Sequence, residues 1–133
     1  MTLFSSILKL SGLSIREAAE FLEVRPDTVK SWSAGRNPVP AGVMDQLHDL
    51  LEMQEKAAGE AVKLWEEKGS TGQIEFGYAA DDHEAQSLGW PSVGAQMAAC
   101  ARLWEMVHGE CEIILSPRGS SMATAAAADE QEK

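Results

Sequence analysis

From Arg25 to Asn37 the chain reads Arg-Pro-Asp-Thr-Val-Lys-Ser-Trp-Ser-Ala-Gly-Arg-Asn. The groups here suit recognition, not bond breaking. On a helix opened by Pro26, Val29 and Trp32 lie three apart and share the inner face. Asp27, Thr28, Lys30 and Ser31 then form the outer face, with Arg25 at its tip. Short polar side chains and cations on one helix face match the donor and acceptor edges of a DNA major groove. Asp27 has two readings: a carboxylate that accepts from cytosine N4, or an acid favoured by a helix N-terminus. Lys30 has a plainer reading as a solvated surface cation.

No comparable arrangement supports catalysis or metal chemistry. His48, His83 and His108 have no serine or cysteine set beside them for nucleophilic attack. Cys100 and Cys111 lack the paired close spacing of a zinc site. Asp81, Asp82 and Glu84 read as a helix cap and surface, and no glycine-rich phosphate cradle occurs. The expectation is a protein that is not an enzyme, with no metal and no cofactor.

Charge divides the chain. Its 133 residues carry 11 Lys and Arg against 21 Asp and Glu, a formal charge of −10, which evenly spread would repel nucleic acid. Residues 1–40, however, hold five bases and four acids, a net of +1, whereas residues 41–133 hold −11. The acidic remainder would face away from DNA and suppress non-specific binding. With 44% apolar and 24% charged residues, a packed core is expected. No apolar run reaches the ~18 residues of a membrane span. No basic-then-apolar leader is visible, so a cytoplasmic protein is expected.

Positioning the polar face of 26–34 requires supporting elements. Leu3, Phe4, Ile7, Leu8 and Leu10 predict a short apolar-striped helix stopped by Gly12. Ser14-Ile15-Arg16-Glu17 has the form of a capping box and opens a helix over about 15–22. Ala18 and Ala19 give that helix a small-residue crossing point, and Val24 places an aliphatic group in the turn. Asn37-Pro38-Val39-Pro40 is an extended connector. A long helix of about 41–67 follows, with Val43, Met44, Leu47, Leu50, Leu51, Ala57, Ala58, Ala61, Leu64 and Trp65 as its apolar positions. Gly69 to Gly72 marks a boundary. Beyond it lie a strand over 73–79 with Ile74, Phe76 and Tyr78 on one face, a short helix at about 83–88, and a helix opened by Pro91-Ser92. Val93, Met97, Cys100, Trp104 and Val107 predict that last helix's inner face. Glu112 to Leu115 suits a second strand, and a disordered tail is expected over 116–133.

The segments Leu13 to Ala19, Leu22-Glu23-Val24, Thr28 to Trp32 and Ala34-Gly35-Arg36 together resemble the Cro/cI-type (XRE) helix-turn-helix family. The chain departs from that pattern with Ser33-Ala34 before the final turn and with Glu23 where the family often has glycine. The resemblance implies that 26–34 is the recognition helix and that Ser14, Arg16, Arg36 and Asn37 hold phosphates. Ile74-Glu75-Phe76, Gly89-Trp90, Gln96 to Ala99 and Gly109 to Ile114 resemble a narrower group, the anti-CRISPR-associated transcriptional regulators. That resemblance implies a homodimeric repressor of a promoter, typically its own operon's.

The expected architecture is therefore mainly α. It comprises a lambda-repressor-like helix-turn-helix bundle with a long connecting helix over 1–68, and a small α+β dimerisation module over 69–115. Ile74, Phe76, Trp90, Met97 and Trp104 are the expected core or subunit contact, in preference to a ligand pocket. Two reading heads ~34 Å apart would bind an inverted repeat. The competing readings are an antitoxin that holds a toxin and also binds its own promoter, an adaptor without DNA binding, and an additional RNA partner.

Overall fold

The computed structural model describes residues 1–117, and the rest of the expected tail, 118–133, lies outside them. Four helices come first: α1 (Leu3–Ser11), α2 (Ile15–Leu22), α3 (Pro26–Ser33) and the long α4 (Ala41–Glu67). Then follow β1 (Gln73–Tyr78), α5 (Asp82–Ser87), α6 (Val93–Val107) and β2 (Glu112–Pro117). The architecture is mainly helical with one small sheet. β2 continues through Ser116 and Pro117, so those two residues belong to a strand and not to a tail.

Side-chain capping sets most of the boundaries. Thr2 and Ser5 form a reciprocal capping box at the start of α1, and Ser14 and Glu17 form another at α2. Gly12 ends α1 in the left-handed conformation at φ 78°, with the Leu13 N–H returning to the Leu8 carbonyl. Glu23 takes the same role after α2 at φ 57°, where glycine would carry no Cβ penalty. Asp81 caps α5, and Asp82 reaches across to accept from the Val93 N–H at the head of α6.

The first core cluster gathers Phe4 and Leu8 of α1, Ala18 and Leu22 of α2, Val29 and Trp32 of α3, and Leu47 of α4. Phe4 meets Trp32 edge-on at 5.7 Å between ring centroids, a favourable aromatic geometry. The stripe of α1 is narrower than its sequence suggests. Leu3 and Leu10 are 71% and 56% exposed, because they flank the Phe4–Leu8 line that faces the bundle.

A second cluster joins Ala58 and Trp65 of α4, Ile74 of β1 and Leu103 and Val107 of α6. The Trp65 indole N–H donates to the Thr71 carbonyl at 2.6 Å, tying the end of α4 to the connector. β1 and β2 pair in parallel, with Ile74 opposite Ile113 and Phe76 opposite Leu115. A parallel pair needs a crossover, which α5 and α6 supply. Helix α6 is also turned relative to expectation. Its buried residues are Ala95, Gln96, Ala99, Cys100, Leu103 and Val107, while Trp104 is 55% exposed. Small side chains at 95 and 99 suit close packing against α4; an apolar-size pattern favours Trp104 over alanine and misses that.

Helices α4 and α6 run through both clusters: Ala95 completes the first, and Leu103 the second. In α4, Leu64 is 56% exposed despite its apolar type, whereas Gln54 is wholly buried despite its polar one.

Candidate nucleic-acid interface

Helix α3 presents its polar face as expected from periodicity. Val29 is fully buried and Trp32 nearly so, which fixes the helix from behind. Asp27 and Lys30 are exposed, Thr28 and Ser31 are half-buried, and Arg25 is exposed at the N-cap. Arg25 makes no side-chain cap bond, and Pro26 occupies the first turn, where its missing N–H leaves no orphan donor.

The phosphate candidates lie at the start of α2 and just after α3. Arg16 is exposed on the first turn of α2. Ser14 is already engaged: its N–H donates to Glu17 Oε1 at 2.8 Å, and its Oγ accepts from the Glu17 N–H at 3.1 Å. The hydroxyl proton of Ser14 stays available as a donor. Arg36 and Asn37 are exposed just beyond α3. The Arg36 N–H donates to the Ser31 carbonyl at 3.0 Å, and Asn37 Nδ2 donates to Ser31 Oγ. Ser31 thus fastens the following loop to the end of the helix. A further tie comes from Thr2, whose Oγ1 donates to the Ser33 carbonyl at 2.9 Å and pins the end of α3 to the start of α1.

Among the described residues, no ion pair engages Arg16, Arg25, Lys30 or Arg36; the one pair found joins His48 to Glu52 at 3.5 Å on α4. The four cations are therefore unneutralised by neighbouring carboxylates. Glu20 and Glu23 of the same stretch of chain are also exposed, and Glu20 Oε1 accepts from Gln86 Nε2.

The five apolar residues expected at a core or subunit contact sit differently from one another. Ile74 is buried in the second cluster. Phe76, Trp90 and Met97 are half-buried, and Trp90 packs against the first cluster. Trp104 is exposed, with its ring against His108 at 4.7 Å. Leu115, opposite Phe76 on β2, is 48% exposed, a position that strand alternation alone would have put inward.

His48, Asp49 and Glu52 bring ligand atoms within 4.8 Å of one another on the exposed face of α4, a grouping the sequence reading missed although its one-turn spacing was visible. All three are exposed. Burial pushes the Cys100 thiol up from its ordinary range, because the charged thiolate is disfavoured away from water. No helix among the described residues is long and apolar enough to cross a membrane. No protein-family model matches the chain, and no curated protein matches it.

Proposed function

We propose that this protein binds double-stranded DNA sequence-specifically, with α2 and α3 acting as a helix-turn-helix, and that it works as a homodimeric repressor on an inverted-repeat operator. One observation carries the reading. Arg25, Asp27, Thr28, Lys30 and Ser31 stand on the accessible side of a helix whose other side is locked by Val29 and Trp32. Such a face is preorganised, so binding orders little backbone.

In this reading Arg16, Arg36, Asn37 and the Ser14 hydroxyl hold phosphates and set the register. Arg25, Lys30 and Ser31 then read base edges, with Asp27 selecting for cytosine or against other bases by repulsion. One reading head covers a few base pairs and binds weakly. A second copy, joined through exposed apolar surface that includes Trp104, doubles the site. Occupancy of a promoter by such a dimer blocks transcription, and the resemblance to anti-CRISPR-associated regulators makes its own operon the target, in the cytoplasm.

The test is selection from a randomised duplex library with the full chain, followed by binding to the DNA upstream of its own gene. An enriched inverted repeat that recurs in that upstream DNA is expected. Failure to enrich any sequence at low salt would refute the reading.

A further inference from the structure

Gln54 lies wholly buried where α1, α4 and α6 meet, and its single amide nitrogen serves two backbones at once. Nε2 donates to the Ser11 carbonyl at the end of α1, at 2.9 Å, and to the Ala95 carbonyl in the first turn of α6, at 3.0 Å. Immediately beside it two segments of the chain touch backbone to backbone. A Cβ on Gly12 would stand 2.2 Å from the Gly94 carbonyl oxygen, and one on Gly94 would stand 2.4 Å from the Gly12 carbonyl oxygen. A second link lies at the rim, where Gln86 Nε2 of α5 donates to Glu20 Oε1 of α2 at 3.2 Å.

Apolar contacts permit small slides; two directional bonds from one planar amide do not. The arrangement is also chosen at a cost. Gln54 Oε1 is buried with no hydrogen-bond partner among the described residues, and methionine or leucine would remove that orphan only by giving up the bonds to the Ser11 and Ala95 carbonyls. What the amide adds is a fixed angle between the α1–α3 unit and α6.

We propose that Gln54, with Gly12 and Gly94, is a positioning device that sets the angle at which α3 is presented, so that residues touching no DNA determine which half-site spacing the dimer accepts. This rests on the DNA-binding reading above. In a two-fold dimer the separation and tilt of the two α3 helices follow from how each α3 is mounted on its own α4–α6 frame. Inserting 2 base pairs between half-sites turns one of them by about a fifth of a turn and moves it ~7 Å. A rigid mount rejects that displacement, and a compliant one follows it.

The experiment has two arms, both on the full chain. The first is hydrogen exchange of the wild type and of Gln54→Met, which conserves side-chain length and removes the amide. In the wild type, the slowest amides of α3 and of α6 are expected to exchange within about threefold of each other, as one cooperative unit. In Gln54→Met, those of α1–α3 should accelerate about tenfold while those around Leu103 change little. Independent opening of the two halves in the wild type, or uniform acceleration in the variant, overturns the device; the wild-type measurement decides even if the variant does not fold. The second arm measures affinity for the selected operator, for the same operator with 2 base pairs inserted or removed, and for a single half-site. The wild type should discriminate against altered spacing by about 100-fold. Gln54→Met should discriminate less than about 10-fold with its half-site affinity unchanged. Equal loss on every duplex would mark Gln54 as merely structural and overturn the positioning role. If the wild type selects no DNA, the parent reading and the spacing role fall together, while the exchange arm still decides whether the mount is rigid.

Discussion

Gly12→Ala isolates the contact between α1 and α6, and its cost divides into two parts. The first is backbone strain. Gly12 sits at φ 78°, and an L side chain there costs about 1–2 kcal/mol. The second is collision. The new Cβ would lie 2.2 Å from the Gly94 oxygen and 2.7 Å from its carbon, both backbone atoms that cannot swing aside. Relief requires the two segments to part by about 1 Å to reach ordinary contact distance. That parting stretches the Gln54 bonds, now 2.9 and 3.0 Å, beyond useful reach. Each buried group so stranded costs about 1–3 kcal/mol, which brings the total to about 3–8 kcal/mol. Gly35→Ala is the control: it has the same φ of 78°, but its Cβ would meet only Thr2 Cγ2 at 3.4 Å. It should cost only the strain, about 1–2 kcal/mol. Urea unfolding followed by tryptophan fluorescence reads both, since Trp32 and Trp65 are buried. Gly12→Ala should exceed Gly35→Ala by at least about 2 kcal/mol, a large share of a small domain's stability. Equal midpoints and equal slopes for the two variants would refute the close approach and with it the reasoning on Gln54.

Glu23→Gly should stabilise the fold by about 1 kcal/mol in the same assay, because it removes a Cβ from a left-handed cap at φ 57°. Arg36→Ala should weaken binding to every duplex and reduce the slope of log affinity against log salt by about 1 per lost phosphate contact; an unchanged slope contradicts its phosphate role. Lys30→Ala should cost about 1–3 kcal/mol on the selected operator and relax the preferred base at one position per half-site, checked by repeating the selection. Trp104→Glu should shift the light-scattering mass from dimer to monomer while circular dichroism stays unchanged, since the ring is 55% exposed and its loss leaves the core intact.

Much of the supporting frame could be read from the sequence, and the reason is local chemistry. Capping residues act within four positions of themselves, so Ser14 with Glu17, Ser92 ahead of α6, and Gly12 after α1 announced helix ends that the structure places there. The burial of Val29 and Trp32 followed from helical periodicity in the same way. What stayed hidden depends on the tertiary partner. Gln54 occupies a heptad-like inward position on α4, but its type argues for solvent until the Ser11 and Ala95 carbonyls are known to converge on it. The face of α6 was misjudged for the converse reason. Ala95 and Ala99 are weak apolar signals individually, yet only small residues let α6 approach α4 and Gly12 so closely. The parallel pairing of β1 with β2 is likewise set by the crossover and not by either strand's own residues.

Electrostatics decides how such a chain could recognise DNA at all. A carrier of −10 cannot rely on a broad positive surface. Taking Arg16 and Arg36 as the phosphate cations of each protomer, a dimer displaces about four counterions, and the salt slope is then about −3.6. That is a shallow dependence, and it leaves little sequence-independent affinity. Base contacts from Arg25 to Ser31 must then supply most of the binding energy, and a single head offers too few of them. Doubling the site through a partner copy is the remaining route to useful affinity, and it succeeds only if both heads meet their half-sites together. A weakly attracted duplex does not wait for a loosely hung head to find its register, so on the proposed DNA-binding reading the acidic composition and a rigid mounting of α3 through Gln54 and Gly12 would belong to one solution: low background binding, with affinity conditional on geometry.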